Sequence, residues 1–152
     1  MKKKIIIFFC LFFVTSGCGY NSIYSSNQNY AFNITNLELT GDQKINLKIK
    51  NNLENVSNSL SSNEYGLQIK TTKDKAIVTK DSKGNAKIYN LGVAVEVKVF
   101  MDKKLINKKM FRETFNYSNN SNKYDLKQYE KSILNNLNNK IIDNIVIYLL
   151  SF

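Results

Sequence analysis

Residues 91–101 read LGVAVEVKVFM, and they decide the fold. Leu91, Val93, Val95, Val97, Val99 and Met101 fall on one side of an extended chain, with Gly92, Glu96 and Lys98 on the other, the alternation of a strand with one buried face. Upstream, Asp81-Ser82-Lys83-Gly84-Asn85 is the clearest turn signal in the chain, and before it Tyr65–Lys73 (YGLQIKTTK) and Ala76–Lys80 alternate as strand. The arms on either side of the turn make a hairpin. Downstream, Asp102-Lys103-Lys104 is a second tight connection, leading into Leu105–Tyr117 (LINKKMFRETFNY), a strand with Phe111, Phe115 and Tyr117 on one face.

Further out, Ala31–Leu39 (AFNITNLEL) puts Phe32 and Ile34 on one face and Leu37 and Leu39 on the other, so a strand here needs a bulge or an early exit. Thr40-Gly41-Asp42-Gln43 supplies a turn and a helix start, after which Ile45, Ile49, Leu53, Val56 and Leu60 recur as one helical stripe. The Asn and Ser residues on its other faces are poor helix formers, so this helix depends on packing against a partner, and Ser57–Asn63 ends it. Beyond the polar loop Ser118–Asn122, a second stripe of Leu126, Tyr129, Ile133, Leu137, Ile141, Ile145 and Tyr148 runs nearly to Phe152. The expected fold class is α+β: a two-layer sandwich of two helices packed on a mainly antiparallel four-stranded sheet, in the order β-α-β-β-β-α. Ile142, Val146, Leu149 and Leu150 form an extra apolar set on another face of the last helix. Either a deeply sunk terminal helix or a docking surface for a protein or membrane accounts for them.

The first residues are of another kind. Met1-Lys2-Lys3-Lys4 is a positively charged start, and Ile5–Val14 (IIIFFCLFFV) is unbroken apolar chain with the length of a signal-peptide core. A bilayer span needs about 20 apolar residues, which this stretch does not reach. Thr15-Ser16-Gly17-Cys18 then places small residues before a cysteine, which is a lipobox with Thr15 where leucine is usual. Residues 1–17 are thus expected to be a lipoprotein signal peptide, 18–30 an acylated Cys18 and tether, and 31–152 the folded domain. Fatty chains such as palmitate contribute about 0.8 kcal/mol per buried CH₂, so several chains on Cys18 anchor far better than one. Cys10 leaves with the signal peptide, and the mature chain keeps no free thiol and no disulfide framework.

The chain carries 22 Lys+Arg against 12 Asp+Glu, and loss of Lys2, Lys3 and Lys4 still leaves a basic mature part. Such a surplus suits an anionic partner. Only Arg112 is arginine, however, and the joint abundance of Lys, Asn and Ile is the bias of an AT-rich coding sequence. Nucleic-acid readers lean on the arginine fork, so nucleic acid is not an expected partner. There is no histidine, and with no free thiol the common general base, metal ligand and nucleophile are all missing. The acids fall largely at turns and solvated helix faces, no Gly-rich phosphate loop is present, and Asn-x-Ser/Thr triplets such as Asn33-Ile34-Thr35 are chance products of Asn abundance. No catalytic residue, metal or cofactor is expected, and a binding or assembly role is left.

Cys18-Gly19-Tyr20 after the lipobox, the β-α-β-β-β-α order and the stretch Lys80–Leu91 (KDSKGNAKIYNL) together resemble the LPS-assembly lipoprotein family LptE, also called RlpB. The resemblance covers essentially the whole mature chain. It implies an outer-membrane lipoprotein, lipid-anchored, facing the periplasm or seated within the lumen of the large β-barrel LptD. There it would plug the barrel, assist its assembly and take part in lipopolysaccharide delivery to the cell surface. Gly19 beside the anchor is compatible with outer-membrane sorting. Family members bind lipopolysaccharide partly through basic residues near the second hairpin, and the corresponding turn here offers Lys80, Lys83 and Lys87. Clustered ammonium groups attract the dense phosphates of lipid A, but a charged tip also serves simply to blunt edge pairing. The alternative role is a generic lipid-anchored periplasmic binding or adaptor module of another envelope complex.

Overall fold

The computed structural model describes residues 31–152; the signal peptide, Cys18 and the tether expected from the sequence lie outside the described residues. The decisive alternation is realised in strand β3 (Ala86–Met101), where Leu91, Val93, Val95, Val97 and Val99 are all buried. Met101, at the last position, is partly exposed. Before β3 in the chain come β1 (Asn33–Gly41), helix α1 (Gln43–Val56) and β2 (Glu64–Lys80); after it come β4 (Lys104–Ser118) and helix α2 (Lys123–Leu149). The sheet order is β1-β2-β3-β4. β3 is antiparallel to both neighbours, with Val97 opposite Ile69 on β2 and Lys109 on β4. β1 runs parallel to β2, with Leu39 opposite Ile69, and α1 carries the crossover that a parallel pair requires. The expected α+β class and element order are therefore present.

Of the bulge and the early exit that the parity of β1 left open, the bulge is present. Register passes from Ile34 opposite Tyr65 to Asn36 opposite Gly66, so one extra residue sits on β1. That extra residue lets Phe32 and Ile34 face the same core as Leu37 and Leu39. The two sequence segments Tyr65–Lys73 and Ala76–Lys80 are one continuous strand, and their interruption at Asp74–Lys75 costs nothing because those positions are exposed.

α1 begins at Asp42, whose side chain accepts from the N–H groups of Lys44 and Ile45 at 3.0 and 3.1 Å. Gly41 precedes it with φ +102°, and an added Cβ would lie 1.9 Å from the Thr71 carbonyl oxygen, so glycine is required where β1 turns into α1 against β2. The stripe Ile45, Ile49, Leu53 and Val56 is buried, as its spacing predicts. Leu60 is not part of it. The helix stops at Val56, and Ser57 turns its hydroxyl to Asn33 Oδ1 and to the N–H of Ile34, holding the chain back on β1. One turn further on, Leu60 is 93% exposed.

α2 is capped by Asn122, which accepts from the N–H groups of Tyr124 and Asp125. Its main stripe is buried except for Tyr129, and the second apolar set resolves in favour of the core. Ile142, Val146 and Leu149 are each 1% exposed, while Leu150, past the end of the helix, remains at the surface. The last turns are apolar on two faces because both the sheet and α1 lie against α2. On β4, the edge strand among the described residues, Phe111 and Tyr117 are buried but Phe115, on the same face, is half exposed. Several acids also depart from the expectation of turns and helix faces. Asp74, Glu96 and Glu113 sit within strands, where they meet Arg112, Lys108 and Lys140 at 3.4, 2.8 and 2.8 Å. These pairs are partly exposed and contribute little each.

Candidate functional site

The β2–β3 hairpin extends past the end of β1. Gly41 is the last β1 residue to pair, opposite Thr71, so Thr72–Lys80 runs on with no strand among the described residues on that side, and every residue in it is exposed. On the other side β4 follows β3 as far as Ser118 opposite Ile88, and Asn119 closes the margin. Its N–H donates to the Lys87 carbonyl at 2.9 Å and its side-chain amide to that of Ala86 at 2.8 Å.

Asp81 builds the tip. Its carboxylate accepts from the N–H groups of Lys83 at 2.9 Å and Asn85 at 2.8 Å, while Gly84 takes φ +83°. The bond from Asn85 is the main reason that Asp81 is held below the usual carboxylate range. Lys80, Lys83 and Lys87 all stand exposed around this turn. None of the three makes an ion pair with any described residue. The structure thus brings the three sequence-expected lysines to one exposed tip; Cys18 lies outside the described residues.

A cluster that no sequence spacing announces fixes the hairpin to the helix layer. Lys75 on the free edge of β2 reaches Glu130 of α2 at 2.6 Å, and the Tyr117 hydroxyl of β4 donates to the same Glu130 oxygen at 2.7 Å. The Lys75 ammonium lies 4.2 Å from the centre of the Tyr89 ring, which stacks on Tyr117 at 5.6 Å. Burial by itself raises the Glu130 pKa, but the bonds from Lys75 and Tyr117 outweigh it and keep Glu130 below the ordinary range. Tyr117 moves the other way: burial first, then the neighbouring carboxylate, push its phenol far up. Fifty-five residues separate Lys75 from Glu130, so only the folded topology brings them together.

Among the described residues no group of three or more Cys, Asp or Glu side chains is placed to hold a metal ion, and no helix is long and apolar enough to cross a membrane. The arrangement offers three exposed ammonium groups around a turn, on a two-stranded arm braced to the helix layer.

This is an α+β sandwich of the β-α-β-β-β-α kind, and solved structures share it. A minor lipoprotein from Acinetobacter baumannii superposes with a TM-score of 0.61 at 14% identity, over 80% of this chain and 92% of that one. An uncharacterized lipoprotein B from Nitrosomonas europaea gives 0.58 at 11% identity, over 81% and 87%. The rare lipoprotein B from Shewanella oneidensis gives 0.51 at 18% identity, over 76% and 91%. No family model and no curated protein matches the chain. At these identities the shared property is the fold, and it is the fold that the LptE/RlpB resemblance implies.

Proposed function

We propose that this chain is an outer-membrane lipoprotein of the LptE type, acylated at Cys18, that plugs and assists the assembly of an LptD-type β-barrel and takes part in lipopolysaccharide delivery. The observation that carries this reading is the coincidence of a lipobox with a sandwich fold shared by lipoproteins from three other bacteria. The lack of histidine and of a free thiol in the mature part favours contact over turnover, and Lys80, Lys83 and Lys87 stand exposed around one turn where an anionic partner can reach them. Lys80, Lys83 and Lys87 are the residues assigned to the lipopolysaccharide phosphates.

Extraction of the native protein in mild detergent tests the reading. A stable one-to-one complex with a large β-barrel is expected, together with defective barrel assembly when the lipoprotein is depleted. Recovery of the protein alone, with the barrel assembling normally in its absence, refutes the reading and leaves the adaptor module of another complex. For the tip, the triple variant Lys80→Glu, Lys83→Glu, Lys87→Glu should bind lipopolysaccharide at least about tenfold more weakly at low salt, with the difference shrinking as salt screens the attraction. Unchanged affinity would reduce the hairpin to scaffold.

A further inference from the structure

Among the described residues the sheet has three open margins: the outer side of β1, the part of β2 beyond β1, and the outer side of β4. Open strand edges invite pairing, and folded proteins blunt them with short length, bulges, prolines or charges laid across the edge. β1 is nine residues long and carries its bulge between Ile34 and Asn36. The register of β2 is broken twice between Ile77 and Lys80, and Lys73 and Lys75 reach from it to Asp42 and Glu130 in the helix layer.

β4 has no such device. From Asn107 opposite Val99 to Ser118 opposite Ile88 its register runs through twelve consecutive pairs without irregularity, and the chain holds no proline. The Asn119 N–H donates to the Lys87 carbonyl, which makes Lys87 and Asn119 a hydrogen-bonded pair. In an antiparallel ladder such pairs alternate with pairs whose backbone groups turn away from each other. Along the unbroken register, odd-numbered β4 residues therefore bond to β3, while Lys108, Met110, Arg112, Thr114 and Asn116 turn N–H and C=O to the open side. The Lys108 N–H is taken there by the Asn107 side chain at 2.8 Å. For the other four these groups have no hydrogen-bond partner among the described residues.

The charged side chains of β4 leave this edge bare. Lys108 is drawn to Glu96 on β3 at 2.8 Å, Arg112 to Asp74 on β2 at 3.4 Å and Glu113 to Lys140 of α2 at 2.8 Å, and the Lys109 ammonium lies 4.9 Å from the centre of the Tyr148 ring. Apolar groups flank the edge instead. Met110, 58% exposed, stands on the open face of the sheet, and Phe115, 44% exposed, on the helix face.

We infer that β4 accepts an extended segment of the partner protein as a fifth strand, paired through Met110, Arg112, Thr114 and Asn116. Charge defines the chemistry of that segment. β4 carries Lys104, Lys108, Lys109 and Arg112 against Glu113 alone, and neither Lys104 nor Lys109 has an ion-pair partner among the described residues. The segment is acidic, with apolar side chains to meet Met110 and Phe115. A second copy of this chain is a poor occupant, because β4 against β4 sets lysines beside lysines. The inference rests on the barrel partner proposed above and names the contact. The closed wall of a barrel has no free edge to offer, so the added strand comes from a loop or terminal segment of the barrel protein.

Amide hydrogen exchange, resolved by residue in the full acylated chain, tests this. In the detergent-extracted complex with the barrel, the N–H groups of Met110, Arg112, Thr114 and Asn116 should exchange at least about a hundredfold more slowly than in the same chain alone in detergent. Those of Phe111 and Glu113, already bonded to β3, should be slow in both. Thr114→Pro removes an outward donor and no β3 bond, so it should keep its circular dichroism and lose the added protection at Arg112 and Asn116. Lys104→Glu with Lys109→Glu leaves the ladder intact and should lower recovery of the barrel at least about threefold at low salt, the difference shrinking as salt rises. Unchanged recovery overturns the acidic assignment. A complex whose outward amides exchange as in the free chain overturns the inference and spares the barrel reading. Extraction of the chain alone overturns both. Slow exchange of these amides in the chain alone, growing slower with its concentration, would put a second copy on the edge and also overturns it.

Discussion

Replacing Gly41 by alanine asks two things of the chain, whereas replacing Gly84 asks only one. Both residues have positive φ, +102° and +83°, so alanine meets a similar left-handed backbone penalty at each, about 1–2 kcal/mol. At Gly84 the added Cβ meets nothing within 4 Å, and the penalty ends there. At Gly41 it would lie 1.9 Å from the Thr71 carbonyl oxygen, a backbone atom in the middle of β2. Relief requires β1 and β2 to separate where the buried Thr71 hydroxyl donates to Asn46 Oδ1 at 2.7 Å, with the Thr40 carbonyl oxygen 3.2 Å away. Overpacking of that kind adds about 1–3 kcal/mol. Gly84→Ala should therefore cost about 1–2 kcal/mol and Gly41→Ala about 2–5 kcal/mol. In a domain of this size 1 kcal/mol shifts Tm by about 3–5 °C, so the two variants should differ by several degrees or more in thermal unfolding followed by circular dichroism, with matching urea midpoints. Equal losses would refute the close approach of β1 to β2 at Thr71.

Leu53 and Leu60 occupy the same helical stripe in the sequence, yet Leu53→Ala should cost about 2–5 kcal/mol and Leu60→Ala within about 0.5 kcal/mol, since one is fully buried and the other almost free, as urea titrations will report. Tyr117→Phe and Glu130→Gln should each lose about 1–2 kcal/mol, but the double variant should lose less than their sum, because both remove the same charge-assisted bond; strict additivity in the double-mutant cycle would disprove that contact. Asp42, Asp81, Glu96 and Glu130 are all held below their ordinary pKa, so their stabilisation is complete above the unfolded carboxylate range near pH 4 and is lost as pH falls through the lower folded values. For Asp42 burial opposes this and the bonds from Ile45, Lys73 and Lys44 outweigh it. Stability measured in urea should thus fall as pH drops below about 4, and by less in Asp42→Asn, which keeps a capping oxygen but has no charge to titrate.

The strands, the turn at Asp81–Asn85 and both helical stripes were legible because each rests on a local period, two residues for a half-buried strand and three to four for a helix. The irregularity in β1 was legible for the same reason: Phe32 and Ile34 disagree in parity with Leu37 and Leu39, which a bulge or an early exit of the strand would explain, and the fold takes the bulge. The three lysines of the tip could be found because they flank a turn signal a few residues long. Where periodicity ran past its physical limit it misled. Leu60 continues the α1 stripe on paper, but Ser57 leaves the helix to bond Asn33 and Ile34, a contact that the spacing does not contain. Phe115 and Tyr129 keep their predicted faces and stay exposed because those faces reach the open margin of the sheet.

Amino-acid order alone therefore determined the element sequence, the face that each element buries and the lack of ordinary catalytic groups, since these follow from side-chain chemistry and short-range geometry. Tertiary structure decided the rest. It sank Ile142, Val146 and Leu149 into the core, buried Asn138 within a run of asparagines that is otherwise mostly solvent-facing, and joined Glu130 to Lys75 and Tyr117. Each of these depends on which surfaces meet across the chain, and that is set by the parallel β1–β2 pairing and the return of α2 over the sheet, not by the neighbours of any one residue.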